Sequence, residues 1–141
     1  MILTDVNVLV SAFRTDAAQH QVCHAWLHSV VNGNSRFGMS PQVLSSVVRI
    51  VTHPRIFRVP SGATEALRFC QRLLDAPLCK AISPLENHWS IFSQLCRETR
   101  AKGNLVSDAW FAALAIESGC EWITLDGDYQ QFPGLRSRAP G

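Results

Sequence analysis

Short apolar segments alternate with longer amphipathic segments along the whole of this 141-residue chain. Each short segment has the length and composition of a buried strand, and each long segment repeats apolar residues at the spacing of a helix. This alternation is typical of α/β proteins, in which a mostly parallel sheet lies between helices. We therefore expect an α/β sandwich with a mostly parallel central sheet of four to five strands flanked by helices.

The bounds of the predicted elements follow from where each apolar pattern begins and ends. We expect strands at residues 2–4, 36–39, 79–82 and 122–125, with a possible edge strand at 135–138. We expect helices at residues 6–13, 16–31, 41–52, 61–74, 85–100 and 107–118. Because no repeat or long linker separates these elements, we expect one domain over residues 1–141.

Composition indicates a folded protein of a reducing compartment. Hydrophobic residues make up 47% of the chain and charged residues 17%, which suits a packed core. The five cysteines are an odd number without a C-x-x-C pair, so we expect a reduced, cytoplasmic protein without disulfides or structural zinc. No signal peptide and no membrane span are expected. The net charge of +2 does not by itself imply binding to nucleic acid.

Two of the predicted strands end directly in an aspartate. Asp5 follows the first strand, and Asp126 follows the strand at 122–125, with Asp128 two residues later. Open α/β sheets bind ligands at the carboxyl ends of their strands, so we expect these acids to share one edge of the sheet. Asp108, near the start of the helix at 107–118, is a further candidate for the same site.

Each of these acids alone has an ordinary structural explanation as a helix cap or a turn residue. Together they favour a cation site, because crowded carboxylates repel one another and either raise their pKa values or bind a cation. Mg²⁺ and Mn²⁺ prefer oxygen ligands and bridge readily to phosphate. The sequence therefore predicts a divalent metal site that acts on a phosphodiester.

Three other chemistries are less favoured. His20, His24 and His28 share one side of a helix, but no cysteine or acid completes a zinc site, so surface or packing roles are favoured. A serine hydrolase needs a nucleophile elbow, G-x-S-x-G, which the chain lacks. An aspartyl-phosphate phosphatase needs a second acid where this chain has Asn7, and the chain has only two lysines for the later catalytic position.

Three stretches together resemble PIN-domain proteins, specifically the VapC-type toxins of bacterial toxin–antitoxin pairs. They read MILTDVNVLVSAF, SPQVLSSVVRIVTHPRIF and NLVSDAWFAALAIESGCEWITLDGDYQQFPGLR, and the likeness covers nearly the whole chain. It implies the toxin of a type II pair, a Mg²⁺- or Mn²⁺-dependent endoribonuclease that cuts structured RNA such as tRNA or rRNA by metal-activated water. It also implies inhibition by a cognate VapB-type antitoxin and a homodimer, since family members use apolar helix surfaces for both contacts.

The resemblance also assigns roles to individual residues. Those that match the family's metal-binding, catalytic acids are Asp5, Asp108 and Asp126, with Asp128 as the supporting catalytic acid. Those that match supporting polar positions are Asn7, Asn104 and Ser107.

Residue 46 departs from the family pattern, which has a glutamate where this chain has Ser46. A hydroxyl supplies no negative charge, and residues 41–52 contain no other acid, so we expect a lower metal affinity. The Ser46 hydroxyl is then a supporting group that holds a metal-bound water. Two functions stay open, an active ribonuclease and a weakened or inactive PIN-fold protein that acts by binding.

Two arginines lie close to the expected site in the sequence. Arg49 and Arg55 flank the segment IVTHP and are candidates for contacts with RNA phosphates. Such contacts position a nucleic acid without reading its sequence. A solvated helix surface explains the same residues equally well.

Overall fold

The computed structural model describes all residues from 1 to 141 and contains five strands and six α-helices. The strands are β1 (Ile2–Thr4), β2 (Phe37–Met39), β3 (Cys79–Ala81), β4 (Glu121–Ile123) and β5 (Ser137–Arg138). The helices are α1 (Val6–Phe13), α2 (His20–Val31), α3 (Pro41–Val51), α4 (Ala63–Asp75), α5 (His88–Thr99) and α6 (Asn104–Ser118). A short 3-10 turn, Gly127–Gln131, follows β4.

The five strands form one sheet in the order β3-β2-β1-β4-β5, and every neighbouring pair is parallel. The predicted α/β sandwich with a parallel central sheet is confirmed. Strand β1 lies in the middle and pairs with both β2 and β4. Because Thr4 pairs with Ile123, the residues that follow these strands, Asp5 and Thr124, leave the sheet side by side.

Three helices, α2, α4 and α5, begin later than the apolar pattern predicts, and before α2 and α5 a carboxylate holds the preceding turn. Helix α2 begins at His20 because Arg14 forms two hydrogen bonds with the Asp16 carboxylate, which keeps this segment in turns. Helix α5 begins at His88 because the Glu117 carboxylate accepts hydrogen bonds from two backbone amides before it, those of Leu85 and Asn87.

Helix α6 begins earlier than predicted, at Asn104, directly after Gly103, whose φ of 61° lies in the left-handed region that favours glycine. Asp108 is therefore in the second turn of α6, where the helix dipole acts on it less than in the first. The buried residues of α6 are mostly small, namely Ala109, Ala112, Ala113 and Ala115, so this helix can approach its neighbours closely.

One hydrophobic core of 27 buried side chains joins the sheet to the helices. Its largest fully buried members include Trp122 of β4 and Phe37 of β2. No helix combines the length and the apolar character that a membrane crossing requires.

Gly38 of β2 is the position in the sheet where a side chain has no room. A Cβ atom there would lie 2.8 Å from Ile82 Cγ1 and 3.2 Å from the backbone oxygen of Ile2. We expect Gly38→Ala to lower the free energy of unfolding by about 1–3 kcal/mol, as overpacking does. Urea denaturation followed by circular dichroism measures this change. Gly127→Ala is the matched control, because a Cβ atom there meets nothing within 4 Å, and a loss as large in the control would contradict the steric explanation.

Candidate active site

A cavity of about 850 Å³ lies where the first strand and β4 end, and three of the predicted acids line it. Asp5 comes directly after β1, Asp108 comes from α6, and Asp126 comes from the turn after β4. The fold thus brings together three acids from opposite ends of the chain. Four other predicted residues also line the cavity, namely Asn7, Ser46, Arg49 and Ser107.

Asp5 is held in place by hydrogen bonds to both of its carboxylate oxygens. The backbone amide of Val6 donates to Oδ1 at 2.6 Å, and the Thr124 hydroxyl donates to Oδ2 at 2.6 Å. The Thr124 hydroxyl in turn accepts from Asn7 Nδ2 at 3.3 Å and from the backbone amide of Asp126 at 3.0 Å. One buried threonine therefore connects the residues that surround two of the acids.

Asn7 joins the start of α1 to the segment that carries Asp126. Besides its contact with Thr124, its Oδ1 accepts a hydrogen bond from the backbone amide of Leu125 at 3.1 Å. The backbone amides of Leu125 and Asp126 thus donate to side chains and not to a neighbouring strand. For this reason β4 ends at Ile123 rather than at the predicted residue 125.

Asp108 is held by Tyr129, a buried residue of the 3-10 turn. The tyrosine hydroxyl donates to Asp108 Oδ1 at 3.2 Å. Burial and the neighbouring carboxylates, Asp5 first among them, raise the pKa of the Tyr129 hydroxyl, so it remains a proton donor at physiological pH.

The environment of the cavity disfavours the charged form of the acids that line it. Asp5 is 4% exposed, and its pKa is raised to about 6, mainly by burial, against the lowering effect of its hydrogen bonds, with further repulsion from Asp108 and Asp126. The pKa of Asp108 is also raised, first by burial and then by Asp126 and Asp128. The two ion pairs of the chain, Arg14–Asp16 and Arg138–Glu121, include none of the three acids. None of the three acids is therefore neutralised by an ion pair, although Arg49 also lines the cavity.

This donor set suits a hard divalent cation held partly through water. No three histidine, cysteine or acidic side chains lie close enough to enclose a metal ion between them. Mg²⁺ is commonly bound by one or two carboxylates, several waters and substrate phosphates, so it does not need such a cage. A cation would also favour the charged forms of Asp5 and Asp108, whose pKa values are raised by burial and, to a lesser extent, by mutual repulsion.

The histidine triplet of α2 forms no such cluster. His20 Nδ1 lies 2.9 Å from the backbone oxygen of Ser11, and its ring packs against His24 with ring centroids 5.2 Å apart. His20 therefore takes part in the contact between α1 and α2.

Three predicted residues lie outside the cavity, and none of them is among its lining residues. Asp128 is exposed in the 3-10 turn, where its backbone amide donates to Asp126 Oδ1 at 2.9 Å. It acts on the site through its charge, which raises the pKa of Asp108. Asn104 is exposed at the start of α6, and Arg55 is exposed in the loop after α3.

Two residues that hold the acids, Thr124 and Tyr129, were not among the predicted site residues. Thr124 belongs to an apolar strand pattern, and Tyr129 lies within the last of the three stretches that resemble the family, which gave it no role of its own. The segment between α3 and α4 also contributes two cavity residues, Ile56 and Phe57. The signal available for Thr124 was its position in the parallel register beside Asp5.

The segment that follows α3 is fixed over the cavity by Arg14. The Arg14 guanidinium donates to the backbone oxygen of Val59 at 2.8 Å and to Ser61 Oγ at 3.0 Å. The same group lies 4.0 Å from the centroid of the Phe57 ring, a cation–π contact. Arg14 thus positions the part of the cavity wall that Phe57 forms.

Comparison with protein families and curated proteins gives consistent matches over the whole chain. The family model described as "PIN domain" matches residues 2–135. Ribonuclease VapC43 of Mycobacterium tuberculosis is 36% identical over 140 residues, which cover 99% of this chain and 95% of the relative. Ribonuclease VapC25 of the same organism is 33% identical over 140 residues, which cover 99% of both chains.

Solved structures with the same fold include toxin–antitoxin proteins. The structure of VapBC2 from Rickettsia felis, bound to a DNA fragment from its promoter, superposes with a TM-score of 0.73 over 100% of both chains at 16% identity. VapC20 of Mycobacterium tuberculosis, described as a sarcin-ricin loop cleaving toxin, superposes with a TM-score of 0.65 over 96% of this chain and 99% of that one, at 16% identity. At these identities the superpositions establish the shared fold.

Proposed function

Since this chain belongs to the PIN-domain family and is similar along its length to VapC ribonucleases, we propose that it is the endoribonuclease toxin of a toxin–antitoxin pair. Its substrate is structured RNA, such as tRNA or ribosomal RNA, and its cofactor is Mg²⁺ or Mn²⁺. The observation that carries the proposal is the cavity in which Asp5, Asp108 and Asp126 meet without a compensating cation.

We assign the metal to these three acids, which would hold it partly through water. When bound, a divalent ion of this class activates water and stabilises the leaving oxygen of a phosphodiester. The chain's own groups prepare the site for it. Thr124 and the Val6 amide orient the Asp5 carboxylate, and Tyr129 orients that of Asp108.

The remaining predicted residues have supporting roles in this proposal. Asn7 holds the segment that carries Asp126, and Asp128 adds negative charge near Asp108. Arg49, exposed on the cavity wall, contacts an RNA phosphate, and Arg55 extends this contact along the loop. The two further polar groups near the start of α6 are Asn104, which is exposed outside the cavity, and Ser107, which faces it.

The proposed partners follow from the family. A VapB-type antitoxin inhibits the protein, which acts as a homodimer of single-domain chains in the cytoplasm, where its RNA substrates are. Structural neighbours that carry such a partner, including VapBC2 of Rickettsia felis, support the antitoxin.

Asp108→Asn is expected to lower RNA cleavage at least about 100-fold, because the substitution removes a charge that the metal requires while it keeps the side chain's shape. Cleavage of total RNA by purified protein in Mg²⁺ or Mn²⁺, read by sequencing of the new ends, measures the effect. The matched control is Asp75→Asn on the exposed surface of α4, which should cut like the wild type. Unchanged cleavage in Asp108→Asn would contradict the proposed mechanism.

The second candidate function is a PIN-fold binding protein with weakened or no catalysis. Ser46 favours it, because this residue lines the cavity where the family pattern has a glutamate, and α3 contains no acid. Growth arrest on expression distinguishes the two functions. Arrest that Asp108→Asn removes supports the ribonuclease, and arrest that persists in this variant supports action by binding.

A further inference from the structure

Gln42 and Trp110 form a hydrogen bond on the wall of the cavity that contains the acids. The indole Nε1 of Trp110 donates to Gln42 Oε1 at 2.6 Å, although 68 positions separate the two residues. An indole N–H can only donate, so the atom that faces it must be the amide oxygen. The Gln42 amide is therefore oriented, and its two N–H donors at Nε2 have no partner within the protein.

An aromatic cluster surrounds this bond. Trp110 contacts Phe92 with ring centroids 5.2 Å apart and contacts His88 at 4.1 Å. Trp89 packs on Phe92 at 5.4 Å and is 67% exposed, an unusual state for so large an apolar side chain. Trp110 and Phe92 line the cavity itself, and Trp89 extends the cluster at the surface.

The cluster lies next to the proposed site of cleavage. Trp110 follows Asp108 by two residues in α6, and both line the same cavity. A nucleotide whose phosphate is held at the acids therefore has its own base, or that of its neighbour, within reach of the aromatic rings. Unstacked bases of RNA loops stack on such rings, and their edges are read by side-chain hydrogen bonds.

We propose that this aromatic cluster binds one unstacked RNA base and that Gln42 selects a base with a keto oxygen, guanine or uracil. The two oriented N–H donors of Gln42 match a keto acceptor, whereas adenine and cytosine present an exocyclic amine at the corresponding position. Trp110 is a positioning residue that keeps the donors of Gln42 turned towards the base. The inference rests on the proposed ribonuclease function and names the substrate class of the same site, a single-stranded loop with guanine or uracil beside the cleaved bond.

Matched nucleosides test the base preference without a phosphate, a metal or cleavage. Uridine and inosine present a keto oxygen beside a ring N–H, whereas cytidine and adenosine present an amine beside an unprotonated ring nitrogen at the same edge. We expect each keto nucleoside to bind about tenfold more tightly than its amino partner. The measurement is a nucleoside titration followed through the indole N–H resonances of ¹⁵N-labelled protein, with the Trp110 signal assigned by its absence in Trp110→Phe.

Variants separate the two parts of the proposal. Gln42→Glu replaces the donors with acceptors and should reverse the preference in favour of cytidine and adenosine. Trp110→Phe keeps a ring but loses the N–H, so it should bind both members of a pair with similar affinity. Trp89→Ala should weaken the binding of all four nucleosides without changing the preference for keto over amino nucleosides. Gln21→Glu, which makes the same charge change on an exposed position of α2, is the control and should behave as the wild type.

Two results would overturn the inference. One is equal affinity of the wild type for the two members of each pair, and the other is no shift of the Trp110 resonance up to the solubility of the nucleosides. Either result would favour a protein partner as the ligand of the aromatic cluster. Sequenced cleavage of a hairpin library with randomised loops gives the second readout. A wild type that cuts without a keto preference contradicts this inference alone. A wild type that cuts nothing but still selects keto nucleosides contradicts the ribonuclease function and supports the base site.

Discussion

Asp5→Asn is expected to abolish RNA cleavage and, in metal-free buffer, to raise the free energy of unfolding at neutral pH by up to about 3 kcal/mol. The carboxylate is buried without an ion pair, and its pKa is raised from 3.8 to about 6, mainly by burial. A shift of about two pKa units corresponds to roughly 3 kcal/mol of destabilisation by the charged form. Asparagine carries no charge, so it avoids this cost, but its amide nitrogen cannot accept one of the two hydrogen bonds that Val6 and Thr124 donate, which offsets part of the gain.

The pH dependence has a definite direction. Below pH 3.8 the Asp5 carboxyl is protonated in both the unfolded and the native protein, and it contributes no difference. As the pH rises towards 6, the unfolded chain ionises first, so the wild type loses stability, and above that range the loss is constant. The stability advantage of Asp5→Asn should therefore grow between about pH 4 and 6 and then remain level.

Urea denaturation at several pH values in EDTA measures this advantage. The raised pKa of Asp108 acts in the same direction, so the variant keeps some pH dependence of its own. Asp75→Asn is the matched control and should show no such gain. Millimolar Mn²⁺ should stabilise the wild type and leave Asp5→Asn nearly unchanged. Superimposable profiles for wild type and Asp5→Asn would contradict the view that this acid is held at a cost to stability.

Such a cost is the physical reason why these acids suit a functional site. Folding alone would favour neutral or apolar side chains at Asp5 and at Asp108, because burial penalises their charge. Hydrogen bonds from Thr124 and Tyr129 keep the carboxylates oriented without removing their negative charge. The fold therefore holds charge ready for a cation and loses stability in doing so.

The acids were predictable because their positions depend on local pattern and on one general rule of topology. Asp5 and Asp126 each follow an apolar strand, and parallel strands bring their ends to the same edge of a sheet. The direction of Asp128 was not predictable, since it depends on the 3-10 turn that leaves this residue exposed. Its proximity in sequence to Asp126 indicated charge near the site but not a place in the cavity.

Contacts between distant segments account for most of what the sequence did not reveal. The bond between Gln42 and Trp110 depends on how α3 and α6 pack, and no local pattern encodes it. The hydrogen bond from the Tyr129 hydroxyl to Asp108 likewise joins two segments 21 positions apart in the chain, and no local pattern encodes it. The helical pattern of apolar residues starts at residue 16, but α2 begins only at His20. The difference depends on the side-chain contact between Arg14 and Asp16, which a pattern of apolar residues does not reveal.

Ser46→Glu is expected to increase metal affinity by about tenfold or more and to raise the rate of RNA cleavage, because a further carboxylate strengthens a divalent site. Ser46 is half-buried in the second turn of α3 and lines the same cavity as three acids that form no ion pair. A glutamate at this position adds one more negative charge to the cavity. In the absence of metal the variant should therefore be less stable than the wild type.

Calorimetric titration of Mg²⁺ and Mn²⁺ into both proteins, alongside cleavage of total RNA, measures the effect of Ser46→Glu. Ser45→Glu is the matched control, since it adds the same charge at the neighbouring exposed position outside the cavity. Ser46→Gln separates charge from side-chain length. Equal metal affinity in Ser46→Glu and the wild type would contradict a place for residue 46 near the ion. If the wild type cuts RNA, three aspartates suffice for catalysis. If only Ser46→Glu cuts, the cavity is a sound catalytic scaffold without its full charge, and the natural protein acts through what it binds.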